Sequence, residues 1–297
     1  MILAAPRGLV SAAFAAPAER TDLWLLGTLS FCLRGGALLL LAPIIVLPTQ
    51  VEVRLALGAN LGSSGLTPGF WTLFGVATLV TSLLALAALH GLARIEARAF
   101  IALTGEARGR PGLVTRLFIV QALTLIALLV VAVPLAASIG QATLDEILRP
   151  SGSGSIYIRV LAQILPVLVV TAAFVPVIDT ISAFTARELL LGRPLRDSLR
   201  AGLSRLIHAP ARSVGAALVA WLSLGLIVLT VCWALTVAWQ ATRAAFLAST
   251  SVSDLLARPD SLVVALLLTA VFVSGLALCG LVAAFRAALW TLASVRH

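Results

Sequence analysis

Six stretches without a charged residue set the terms for this chain. Between Arg34 and Glu52 lie 17 uncharged residues, Phe70 to Leu89 gives 20, Leu117 to Leu144 gives 28, Val160 to Ile178 gives 19, Ser213 to Thr242 gives 30 and Ser261 to Phe285 gives 25. A helix needs roughly 20 apolar residues to cross the hydrocarbon core of a bilayer. Five runs meet that length and the first meets it with its flanks. The runs are continuous in polarity, whereas a membrane barrel would alternate apolar and polar positions. The expected fold is an all-α polytopic helical bundle of six transmembrane helices, with short amphipathic helices on the cytoplasmic side.

Composition closes off the soluble alternative. A chain of 297 residues that is 61% hydrophobic and 11% charged has too few charges to wet a globular surface. The net charge of +9 comes entirely from arginine, with no lysine. These arginines lie in short segments between apolar runs and are not interleaved with aromatics, so no nucleic-acid partner is expected. Cys32, Cys232 and Cys279 stand far apart inside apolar stretches and match no metal or disulfide spacing. No cofactor and no metal is expected.

Arginine placement predicts orientation. With the amino terminus cytoplasmic, 15 arginines fall on the inner side and five on the outer side. Retention of basic residues in the cytoplasm then puts both termini inside a plasma membrane. The chain reads as one membrane domain: an interfacial segment over 1–33, then hairpins near 34–92, 113–184 and 209–290. The amino-terminal stretch, with a short apolar segment after Pro6 and Arg7, does not read as a cleaved signal. Two outer loops match, "TLDEILRPSGS" and "SVSDLLARPDS", each with an aspartate four residues before an Arg-Pro pair, Asp145 with Arg149 and Asp254 with Arg258. Thr143 and Ser251 are expected caps of those turns. A duplicated hairpin explains the match, with "PTQVEVRLALGANLG" a weaker third copy.

The strip "TARELLLGRPLRDSLRAGLSRLIHAPAR" (185–212) holds six of the 21 arginines and falls in an inner loop. Gly192 can end one helix and Pro194 can open the next. Leu195, Leu199, Leu203 and Leu206 recur at helical spacing, with Arg193, Arg196 and Arg200 on an adjoining face. The pattern predicts an amphipathic helix on the membrane surface. Arg193, Arg196, Arg200 and Arg205 are its candidate contacts to anionic lipid headgroups or to a cytoplasmic protein partner.

"LRGGALLLLAPIIVLPTQV" (33–51), followed by further spans, resembles uncharacterised membrane proteins of high-GC bacteria. "ELLLGRPLRDSLRAGLSRL" (188–206) is similar to a pattern in the six-helix membrane domain attached to some glycerophosphodiester phosphodiesterases. That pattern is a Leu-Gly-x-Pro step and a basic amphipathic segment feeding the fifth helix. The resemblance implies a six-helix membrane domain; with no soluble phosphodiesterase domain here, it implies no such activity.

Motifs for metalloprotease, nucleotide-phosphate or nucleophile-elbow chemistry are absent from the sequence. "GSSG" at 62–65 and His90 lie at opposite ends of one span, roughly 30 Å apart on a helix, too far for a catalytic pair. The residue that stands out is Asp179 in "PVIDTISAF", expected one or two turns above the cytoplasmic surface. A carboxylate there needs a partner or water. His90, Arg34 and Arg94 are the candidate partners, either in a structural ion pair or at a proton- or ion-coupled site. The sequence therefore predicts a non-enzymatic integral membrane protein, an assembly or transport-associated component. The competing readings are a permease subunit energised by a separate ATPase and, third, an intramembrane lipid-modifying enzyme.

Overall fold

The computed structural model describes residues 8–44, 61–62, 65–66, 68–105, 112–149, 156–208, 210–247 and 259–295. Nine α-helices are described: α1 Leu9–Glu19, α2 Thr21–Leu33, α3 Gly36–Leu41, α4 Pro68–Thr104, α5 Leu113–Leu148, α6 Ile156–Leu190, α7 Leu195–His208, α8 Pro210–Leu247 and α9 Pro259–Val295. The described extended structure is one two-residue antiparallel pair, Leu61–Gly62 with Gly65–Leu66. The protein is an all-α polytopic membrane bundle. Five helices are long and apolar enough to span, and the count is six if α2 and the segment Gly36–Ile44, bent by 72°, form one broken span.

The spanning helices outrun the membrane. α4 and α9 have 37 residues each, so each is about 55 Å long against a hydrocarbon core of about 30 Å. The uncharged runs therefore account for only part of each helix. Arginine-bearing sequence such as "HGLARIEARAFIALT" continues α4 without a break rather than forming the expected loop. Proline does not interrupt these helices either: Pro134 lies inside α5, and Pro166 and Pro176 lie inside α6.

Burial is concentrated in these extensions. Ala93, Ala97 and Phe100 of α4 pack with Leu117 and Val120 of α5 and Ala186, Leu189 and Leu190 of α6. Beside them Ala12, Ala13 and Ala16 of α1 meet Phe184 of α6, Ala216 and Ala220 of α8, and Phe285, Leu289, Trp290 and Leu292 of α9. This region is the base of the bundle. In contrast, every residue of α4 from Trp71 to Leu84 is exposed, as lipid-facing positions must be in a protein taken alone. A third cluster, Phe31, Leu40, Val231, Leu235 and Cys279, ties α2 and α3 to α8 and α9.

Small residues let backbones meet. At the crossing of α2 and α9, a Cβ on Gly27 would fall on the Gly280 carbonyl and lie 2.7 Å from the Ala284 nitrogen. A Cβ on Gly280 would collide with Thr28 in turn. Close backbone approach at Gly and Ala is the usual way to gain dispersion contact between helices in lipid.

Gly192 ends α6 as expected, with φ of 96°, and the amides of Gly192 and Arg193 donate to the carbonyls of Leu189 and Glu188 at 3.0 and 3.2 Å. Pro194 accepts the first bond of α7 from the Ser198 amide at 2.9 Å. Thr143, in contrast, caps nothing: it lies within α5, which runs on to Leu148 and closes with the Arg149 amide on the Asp145 carbonyl at 2.7 Å. The matching loop 251–258, the stretch 48–60, the linker 151–155 and the Arg212 side chain lie outside the described residues.

Candidate functional site

Where the uncharged runs end, the helices turn charged side chains towards one another. Asp179 is the first residue after the α6 run and Arg286 the first after the α9 run; Glu96 lies two turns beyond the α4 run. Arg34 occupies the bend between α2 and α3, where Gly35 adopts φ of 82°. That left-handed turn costs glycine little and lets the chain change direction within two residues.

These four groups form a chain of ion pairs. Arg34 reaches Glu96 Oε1 through Nη2 at 2.9 Å and Asp179 Oδ1 through Nη1 at 3.4 Å. The second Asp179 oxygen accepts from Arg286 Nη2 at 2.6 Å. Arg286 also stacks over the Trp221 ring, 5.0 Å from its centroid. Asp179 and Arg286 are 14% and 13% exposed in their side chains, against 42% for Arg34, so Arg34 is the most accessible member of the layer. The cluster joins α2, α4, α6 and α9.

Just over two turns further along α6, Arg187 is 4% exposed. Its neighbour Glu188 is fully buried and pairs with Arg193 Nε at 3.0 Å and with Arg205. Arg205 also lies over the Phe184 ring at 5.4 Å and donates to the Ser294 carbonyl at 3.3 Å.

Of the expected partners of Asp179, Arg34 is brought to it. His90 is exposed, with its ring edge-on to Phe118 at 6.4 Å, and Arg94 is exposed without a partner among the described residues. Both sit on the α4 face turned away from Glu96, a consequence of 100° per residue along the helix. Arg286, Glu96, Arg187 and Glu188 were not singled out by sequence reasoning. For Arg286 a signal was available, since it closes an uncharged run as Asp179 does.

The α7 strip divides in a way the leucine spacing does not give. Ser198 and Gly202 form its buried side, and a Cβ on Gly202 would meet the Thr185 hydroxyl and the Ile181 carbonyl of α6. Leu199, Leu203 and Ile207 point outward, flanked by exposed Arg196 and Arg200. Arg205 turns inward to Glu188, and Arg193 is held by the same carboxylate while remaining 56% exposed. The inward position of Arg205 corrects its expected role as an outer contact. Small residues won the protein-facing side because α7 crosses α6 too closely for leucine.

Outside this base, Glu146 of α5 is fully buried and accepts from Arg159 Nε at 2.7 Å and Gln163 Nε2 at 2.8 Å of α6, clamping the opposite end of that helix pair. Among the described residues no group of three or more His, Cys, Asp or Glu could hold a metal ion. The fold defines a multi-pass helical membrane protein. Comparison with protein-family models, with curated proteins and with solved structures finds no match to this chain.

Proposed function

We propose that this chain is a non-enzymatic component of a bacterial plasma membrane, acting in assembly or in association with transport, with both termini in the cytoplasm. The observation that carries the reading is the outward face of α7. Leu199, Leu203 and Ile207 are 37%, 49% and 64% exposed and stand beside Arg196 and Arg200, neither of which has a partner among the described residues. An apolar stripe edged by arginine suits the headgroup boundary, where each arginine near an anionic leaflet contributes on the order of 1 kcal/mol. α7 is fixed to the bundle through Gly202 and Glu188, so whatever binds its outer face is coupled to α6. A permease subunit would use the same helix to receive a separate ATPase.

Purification from native membranes in mild detergent, with mass spectrometry of co-eluting species, tests the reading. Anionic lipid retained by the wild type and lost from R196Q/R200Q supports the lipid-facing role. A stoichiometric ATPase that leaves in the same variant replaces it with the permease. Retention of every partner by the variant removes α7 from either account.

Orientation has its own test. Ser198 is buried, so a label belongs on Ser204, which is exposed on the same helix. With Cys32, Cys232 and Cys279 replaced by alanine, Ser204→Cys should react with an impermeant maleimide only after cells are permeabilised. Labelling of intact cells would invert the topology.

A further inference from the structure

Trp233 of α8 lies deeper in the membrane than an indole normally does. Trp221 of the same helix sits under Arg286, at the level where the uncharged runs end. Trp233 follows about 18 Å higher, near the middle of a hydrocarbon core of about 30 Å. It is exposed, and its indole N–H has no partner among the described residues. Tryptophan in membrane helices concentrates at the two interfaces, where that donor finds an acceptor; the hydrocarbon supplies none. Trp233 also belongs to a stripe. Leu222, Leu226, Leu229, Trp233 and Val237 recur at spacings of 3 and 4 and are between 51% and 70% exposed. The buried residues Ala220, Val231, Leu235 and Ala238 occupy the opposite side of α8. A stripe of this period is the seam of a helix pair.

We propose that α8 pairs with α8 of a second copy of this chain, about a two-fold axis along the membrane normal, with each Trp233 donating its indole N–H to Thr230 of the partner subunit. Insertion gives every copy the same orientation, so a second copy presents the same stripe at the same depth, and the contact is self-complementary. The acceptor is also in place. Thr230 is exposed on the flank of the stripe and spends its own proton on the Leu226 carbonyl at 2.8 Å, which leaves its oxygen free to accept. Side chains on a helix lean towards its amino-terminal end, so the Trp233 ring covers the turn that carries Thr230. Acyl chains would cover the leucines equally well but offer the indole nothing, which favours a protein occupant. The pairing is independent of what α7 contacts.

Full-length copies tagged with donor and acceptor fluorophores, reconstituted together in phosphatidylcholine vesicles, report association as energy transfer that falls on dilution with lipid. The wild type should show saturable transfer above the level of random proximity. W233F keeps a ring and T230V keeps the shape of threonine. Each should need at least about threefold higher density for half-maximal transfer, the loss expected from a hydrogen bond between membrane helices. The double variant should be no weaker than either single one, because both remove the same bond. No transfer in the wild type, unchanged midpoints in both single variants, or additive losses in the double variant overturn the proposal. Oxidative cross-linking in the cysteine-free background checks the face. Leu229→Cys should give a disulfide-linked dimer, and Leu266→Cys, equally exposed on α9, should not. Cross-linking through position 266, or capture of a different protein by Leu229→Cys in native membranes, overturns self-pairing through α8.

Discussion

Replacing Asp179 by asparagine should destabilise the protein by about 3–5 kcal/mol, the usual cost of removing one partner from a buried ion pair. Asparagine preserves shape, so the effect reports charge and hydrogen bonding rather than a cavity. Arg286 is then left buried against Trp221 without a counter-charge, and Arg34 loses one of its two anchors at the bend. The double variant D179N/R286M should recover most of the loss, since the expensive state is a lone buried charge and not the absence of the pair. Denaturant titration in detergent measures both. A D179N protein within about 0.5 kcal/mol of wild type would show that solvent already screens Asp179, as it does at exposed ion pairs.

The second large effect belongs to the α2–α9 crossing. Gly280→Leu places a branched side chain where the Thr28 backbone and hydroxyl already sit. Overpacking of this kind costs about 1–3 kcal/mol, and more where backbone must move. α2 should separate from α9, breaking the bond from Trp24 Nε1 to the Ala277 carbonyl at 2.6 Å. Trypsin should then cleave faster after Arg20 and Arg34, which flank α2. Gly75→Leu is the matched control, because a Cβ on Gly75 in the outer half of α4 meets nothing within 4 Å. Equal trypsin rates in both variants would remove the crossing as the support of α2.

The membrane-spanning architecture was legible because lipid imposes a simple rule on composition, and uncharged runs such as Ser213 to Thr242 obey it over a full span. The base was less legible. Its helices pass out of the lipid without any break in hydrogen bonding, and arginines read as loop residues, Arg94 and Arg98 among them, lie on helix surfaces. The same ambiguity hid Arg286: a basic residue at the end of a run serves orientation and ion pairing alike, and only the fold brings it to Asp179. Arg34 could be nominated because its position at a span boundary was unusual. On α7 the leucine period identified a helix but not its inner side, which close packing assigned to Ser198 and Gly202. A propensity argument weighs side-chain polarity, whereas the contact there is decided by volume.

The difference between the packed base and the bare outer half of α4 has a mechanical consequence. A shaft clamped over its lower third and unsupported above behaves as a lever. About 18 residues of free helix extend roughly 27 Å, so a tilt of about 10° at the clamp carries the far tip about 5 Å sideways. Displacements too small to disturb the interlocked side chains below would thus become ångström-scale changes in girth at the opposite membrane face.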